Sequence, residues 1–170
     1  SEWPAIVFCR TKHGADRLTK QLSKVGVSAA AIHGDRSQSQ RERALASFSS
    51  GKVQALIATD VAARGIHVDD VAAVVHFDPP GSEKDYVHRS GRTGRAGSAG
   101  LVVSLVDRDQ ADGAADLQRR LGFEQKLHAP DLRALGDDSH TAQPAPVTAR
   151  PSGPRRAPSH RPRRARGSRR

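Results

Sequence analysis

The sequence predicts an α/β domain, a parallel β-sheet with helices on its faces, followed by a basic tail without order. Three observations carry this reading. Short apolar runs alternate with amphipathic stretches through residue 121. The runs are apolar at consecutive positions, which marks strands buried on both faces, as in a parallel sheet covered by helices. The resulting β-α-β alternation is the connectivity such a sheet requires, and it stops after about residue 136.

The elements follow in order. "AIVFC" (5–9) is the first strand. In "KHGADRLTKQLSKVG" (12–26), Ala15, Leu18, Leu22 and Val25 recur at helical spacing, and Gly26 stops the helix. "VSAAAIHG" leads into "SQSQRERALASFSSG", where Ser37 caps a helix, Ala44, Leu45 and Phe48 form its buried stripe, and Gly51 ends it. "VQALIATD", "VAAVVHF" and "GLVVSLV" are three further strands. "SEKDYVHR" and "DRDQADGAADLQRRLG" are two further helices, capped by Ser82 and Asp107.

Charge divides the chain in two. The net charge is +10, but residues 141–170 hold nine arginines and no acidic residue, leaving 19 basic against 18 acidic side chains before them. A nucleic-acid role for the body therefore has to rest on particular residues rather than on bulk charge. The same tail holds six of the ten prolines and no apolar periodicity. It cannot bury enough surface to offset its ordering entropy, so residues 1–136 are expected to fold and 137–170 to stay disordered.

The single cysteine, Cys9, excludes an internal disulfide and a multi-cysteine zinc site, and its apolar setting predicts a buried structural thiol. No run reaches the ~20 apolar residues that span a bilayer, so no membrane role and a cytoplasmic setting are expected. The chain opens almost directly on a core segment, as a piece of a longer protein would.

In parallel α/β sheets ligands bind at the carboxyl ends of the strands. "HGDRSQSQR", "TDVAARGIHVDD" and "DPPGSEKDYVHRSGRTGRAG" follow the second, third and fourth strands, so three adjacent strand ends are expected to share one polar rim. Gln38 and Arg41 share a face at a helix start, where free amides also attract phosphate; the alternative is a capped helix with solvated side chains. Thr59 and Asp60 follow a buried strand with Arg64 one turn on, suited to a site or to an Asp-capped short helix with a surface arginine. In "HRSGRTGR", Arg92 and Arg95 sit among Gly91, Gly94 and Gly97, a phosphate grip or a polar turn. The histidines lack helical metal pairing and no hydrolytic triad is apparent.

In order and spacing, these segments resemble the second RecA-like domain of the DEAD-box RNA helicases, over about residues 4–122. "AIVFCRTKHGADRL" is similar to motif IV, "HGDRSQSQRERALASF" to motif IVa, "LIATDVAARGI" to motif V and "YVHRSGRTGRAG" to motif VI, the last in wording that suggests the bacterial branch. The resemblance implies a RecA-like sheet. It also implies RNA backbone contacts at Gly34, Gln38, Arg41 and Thr59, independent of base sequence. It implies that Arg92 and Arg95 act as arginine fingers on the ATP γ-phosphate, and that Asp60, Arg64 and His88 couple the ATP and RNA sites or meet the partner domain.

One position departs from the family pattern. The motif usually reads "ARGxD", with the aspartate on the ATP ribose; here His67 takes that place after Gly65, with Asp69 two residues on. A neutral imidazole makes one bond to a ribose hydroxyl where a carboxylate accepts two, so the implied contact is weakened, through His67 or Asp69.

The family's P-loop, "DEAD" and "SAT" motifs are absent from these 170 residues. ATP with Mg²⁺ is therefore expected to be held mainly by an N-terminal RecA-like domain, and this chain alone to be inactive. The arginine-rich tail suits a salt-sensitive RNA tether. The competing readings are a non-catalytic RNA-binding or partner-docking module, which would not require the Arg92 and Arg95 pair, and a DNA helicase lobe, which commonly carries a glutamine-led last motif.

Overall fold

Five short strands pair in parallel in the order β2-β3-β1-β4-β5. They are β1 (Ala5–Phe8), β2 (Ala29–Ile32), β3 (Ala55–Ala58), β4 (Ala73–His76) and β5 (Leu101–Ser104). The helices between and after them are α1 (Lys12–Lys24), α2 (Gln38–Ser49), α3 (Asp60–Ala63), α4 (Glu83–Ser90) and α5 (Ala111–Leu121), the last preceded by a 3₁₀ turn at Arg108–Gln110. This computed structural model describes residues 4–64, 68, 71–95 and 99–123. Gly65, His67, Asp69, the segment from 124 and the expected boundary at 136/137 lie outside the described residues. Among the described residues, no helix is long and apolar enough to cross a membrane.

The parallel sheet follows from the consecutive apolar runs. In β1, Ile6 and Phe8 join one core with Ile32, Phe48, Leu56 and Val74, while Val7 and Cys9 join another with Ala15, Leu18 and Ile57. Alternate residues thus feed opposite faces: α1 covers one, α2 and α3 the other. Cys9 is fully buried, and burial, with Asp78 adding to it, pushes its thiol up to about 11. It is an inert core group, as expected.

Most sequence-read boundaries rest on visible caps. The Ser37 hydroxyl accepts from Gln40 N while the Gln40 side chain accepts from Ser37 N, closing a capping box at α2. Ser82 caps α4 by accepting from Asp85 N. Gly26 and Gly51 follow α1 and α2 with φ of 85° and 73°. At Asp107 the Gln110 side chain accepts from the backbone N–H, so the cap serves the 3₁₀ turn that leads into α5.

Three expectations need correction. Val25 is 74% exposed: it is the C-cap residue of α1, where the helical stripe has already turned away from the sheet. "GLVVSLV" is not buried on both faces, since β5 is an edge strand and leaves Leu101 and Leu105 nearly half exposed. The second, third and fourth strand ends are not all adjacent, because β1 is inserted between β3 and β4. Periodicity identifies strands but not their order, and that order brings the end of β1 into the rim.

Candidate functional site: a rim stapled by Arg89

The registers pair Phe8 with both Ala58 and His76, and Ala58 with Ile32, so four strands end at one level. The residues that follow them form the rim. β1 feeds α1 and β2 on one side, whereas β4 feeds α4 and β5 on the other, which makes the β1/β4 junction the switch point of this sheet.

Arg89 holds the rim together. It lies on the last turn of α4, is 4% exposed, and its Nε and Nη2 donate to Asp60 Oδ1 and Oδ2, both at 2.7 Å. Its Nη1 donates to the Asp78 carbonyl at 2.8 Å, and its guanidinium stands 5.3 Å from the centre of the Phe8 ring. One side chain therefore joins the ends of β1, β3 and β4. The planar five-donor fork allows this, and a lysine could not replace it. Asp60 is consequently not the helix cap offered as its plain alternative: Thr59 is the N-cap of α3, and the Asp60 carboxylate is taken by Arg89.

His76 ends β4 beneath this staple. It is fully buried, its Nδ1 lies 2.9 Å from Ser104 Oγ, and it makes edge contacts with Phe8 and Tyr86. Burial, followed by the charge of Arg89, pulls its pKa down to about 4, so the ring is neutral. Tyr86 in turn meets Phe123 just past α5.

Beside the staple lies a hollow of about 20 Å³ lined by Phe8, Asp60, Ala63, Arg64, Asp85, His88, Arg89 and Arg92. Four residues singled out from the sequence, Asp60, Arg64, His88 and Arg92, thus meet at one place. Arg64 is exposed and lies 3.6 Å from Asp85. Arg92 is half-buried, and its loop is pinned from both sides by Val71, whose N–H donates to the Arg92 carbonyl and whose carbonyl accepts from Thr93 Oγ1. Gly100 packs so tightly on this loop that a Cβ there would come within 2.4 Å of Gly94 N and Thr93 Oγ1. Arg95 is exposed, does not line the hollow, and donates from Nε to the Gly91 carbonyl at 2.8 Å across the left-handed Gly94 (φ 67°).

The β2/β3 side gathers the other named residues. Thr59 is buried and its N–H donates to the Ile32 carbonyl. Arg41 reaches across from α2 to donate to the Ala62 carbonyl of α3. Gln38 is exposed, with its amide donating to Glu42, and Gly34 is exposed in the β2–α2 turn. That turn is tied to α1: His33 Nε2 and Arg36 Nη2 both meet Asp16 Oδ1, at 3.0 and 2.6 Å, and Lys12 meets Asp35 at 2.7 Å. Burial raises the Asp16 pKa, but the bonds from His33 and Arg36 outweigh it and hold the carboxyl below its usual value.

Sequence reasoning missed Arg89, Phe8 and Asp16. A local signal existed only for Arg89, which stands three residues from Tyr86 on the inward face of α4; its partner Asp60 is 29 residues upstream.

Comparison with known proteins agrees with this geometry. The helicase conserved C-terminal domain matches residues 1–97. The DEAD-box ATP-dependent RNA helicase 30 of Arabidopsis thaliana is 45% identical over 130 residues, which cover 76% of this chain and 22% of that protein. The chain thus spans about a fifth of that relative's length. Among solved structures, the Escherichia coli DEAD-box protein SrmB, bound to regulator of ribonuclease activity A, is 36% identical, with a TM-score of 0.71 and 75% of each chain covered. Saccharomyces cerevisiae Dbp5 bound to RNA and ADP BeF3 is 33% identical, with a TM-score of 0.67, covering 75% of this chain and 34% of that one. With the parallel sheet, the stapled rim and these likenesses together, the chain belongs to the DEAD-box helicase family, as its C-terminal RecA-like domain.

Proposed function

We propose that this chain is the second lobe of an ATP-dependent RNA helicase, and that its rim serves two ligands. On the β2/β3 side, Gly34, Gln38, Arg41 and Thr59 take the sugar-phosphate backbone of RNA through amide, guanidinium and hydroxyl donors. Such donors do not read bases, so binding is independent of sequence. On the β1/β4 side, Arg92 and Arg95 act on the γ-phosphate of ATP held by an N-terminal RecA-like domain, while Asp60, Arg64 and His88 meet that domain. The helicase relatives and the Dbp5 complex with RNA and a nucleotide support the pairing of these two ligands.

The residues present fit one half of an ATP site. Among the described residues, no group of three or more His, Cys, Asp or Glu could hold a metal ion, and Asp60 and Asp85 face Arg89 and Arg64. The rim can offer guanidinium charge to a phosphate, while Mg²⁺ and the attacking water belong to the other lobe. When bound, the metal neutralises charge on the phosphates; this lobe stabilises the charge that develops on the transferring group. Gly65, His67 and Asp69 remain the ribose candidates by sequence, with His67→Asp expected to lower the KM for ATP. The arginine-rich tail adds a salt-sensitive hold on RNA.

The observation that carries the reading is the placement of Arg92 on a doubly pinned loop, beside Asp60, Arg64 and His88, at one small hollow that opens to the surface. So small and open a hollow does not enclose a nucleotide, which suits a site completed by a second surface. RNA-stimulated ATP hydrolysis by the full-length protein is the test. Arg92→Ala is expected to lower kcat by about 10³, and the 170-residue chain alone to show no turnover. Full activity in the Arg92 variant, or turnover by the isolated chain, overturns the reading.

A further inference from the structure

We propose that Asp16 is a positioning residue for RNA engagement, acting through the turn between β2 and α2 without touching the RNA; this rests on the RNA-binding reading above. Asp16 lies in the first half of α1, and a single carboxylate oxygen accepts from His33 Nε2 at 3.0 Å and from Arg36 Nη2 at 2.6 Å. The two donors bracket the exposed Gly34 and Asp35. His33 is 3% exposed, so its end of the turn is anchored in the core, and Arg36 stands immediately before the Ser37 cap of α2.

An acceptor-only carboxylate requires the His33 proton on Nε2 and leaves Nδ1, which is buried without a partner among the described groups. Among the described residues, the Asp16 bond is therefore the one polar side-chain tie of this ring. The consequence runs along the chain: fixing both ends of residues 33–36 fixes where α2 begins, and Gln38 and Arg41 occupy its first turn. Arg41 is the far end of the same arrangement, bonded to the Ala62 carbonyl of α3 at 3.3 Å. The Lys12–Asp35 pair is a second link from α1, but both partners are largely exposed, and such pairs contribute little. Without Asp16, the turn keeps its capping box and loses its register on α1.

The test is RNA-stimulated ATP hydrolysis by the full-length protein with Asp16→Ala, Arg41→Ala and both. Asp16→Ala is expected to raise the RNA concentration for half-maximal stimulation about tenfold. The KM for ATP and kcat at saturating RNA should remain within about twofold. In the Arg41→Ala background the same change should add little, because one arrangement has already been lost. An unchanged RNA requirement in Asp16→Ala overturns the proposal, as do fully additive effects, or a joint loss of kcat, ATP affinity and melting temperature. If Arg41→Ala leaves the RNA requirement unchanged, the RNA reading itself fails. If Arg41→Ala raises it and Asp16→Ala does not, only the positioning role fails.

Discussion

Arg89 and Arg92 stand three residues apart, at the end of α4 and in the turn after it, and their surroundings differ sharply. Arg89 is buried, with a carboxylate, a carbonyl and an aromatic ring around its guanidinium. Arg92 is half-buried at the lip of a hollow, and its backbone carbonyl accepts from Val71. The difference is one of helix geometry. Residue 89 still belongs to the helical face that looks onto the strand ends, whereas Gly91 ends the helix and releases residue 92 toward the opening. Arginines in one motif are thus divided between building the rim and lining its edge, and the contrast can be tested directly.

The largest effect is expected at the staple. Arg89→Ala leaves the Asp60 carboxylate without its fork and the Asp78 carbonyl without its donor. Breaking a buried pair costs about 3–5 kcal/mol, and the low end applies because Asp60 is a third exposed. Urea unfolding of this chain should show a loss of about 3 kcal/mol in Arg89→Ala, larger than in Arg92→Ala, because Arg89 is buried and Arg92 only half-buried. Equal stability of the two variants would erase the distinction between the two arginines.

The second effect concerns what lies under the staple. His76 has a folded pKa of about 4 against 6.5 for the unconstrained side chain, so the unfolded state binds more protons between those values. Its contribution to stability is complete above pH 6.5 and is lost as pH falls toward about 4, amounting to about 3 kcal/mol across that window. Unfolding free energies measured at pH 7.5 and at pH 5 should differ less in His76→Asn than in the parent chain. An unaltered slope would mean that the buried ring does not govern the acid side.

The smallest loss of stability is expected at the lip. A methyl group at Gly100 meets backbone and the Thr93 side chain at 2.4 Å, so Gly100→Ala must move the loop that carries Arg92. Overpacking of this kind costs about 1–3 kcal/mol. ATP hydrolysis by the full-length protein should fall more than that stability loss explains. Intact hydrolysis would show that the loop needs no fixed seat.

How much of this was legible beforehand depended on distance along the chain. The strands, the caps at Ser37 and Ser82, and the glycine stops at 26 and 51 are local, and each rests on residues within a few positions of one another. Motif order gave the third and fourth strand ends one rim, and Asp60, Arg64, His88 and Arg92 line one hollow there, although β1 stands between those strands. Val25 failed because a stripe at helical spacing does not reveal where the helix leaves the sheet. "GLVVSLV" failed because hydrophobicity does not reveal which strand lies at an edge. Arg89 and Asp16 escaped notice because their partners are 29 and 17 to 20 residues away.

The sequence by itself determined the class of fold, the identity of its strands and of its longer helices, and the chemical types at the strand ends, because hydrophobic period, caps and glycines act over a single turn or pleat. Only the tertiary structure decided the strand order. By inserting β1 between β3 and β4, that order set Phe8 under Arg89, gave Asp60 to the staple and left Arg92 at the lip. A guanidinium fork is satisfied by whatever carboxylate and carbonyl the folded chain delivers within about 3 Å, and no local pattern records that delivery.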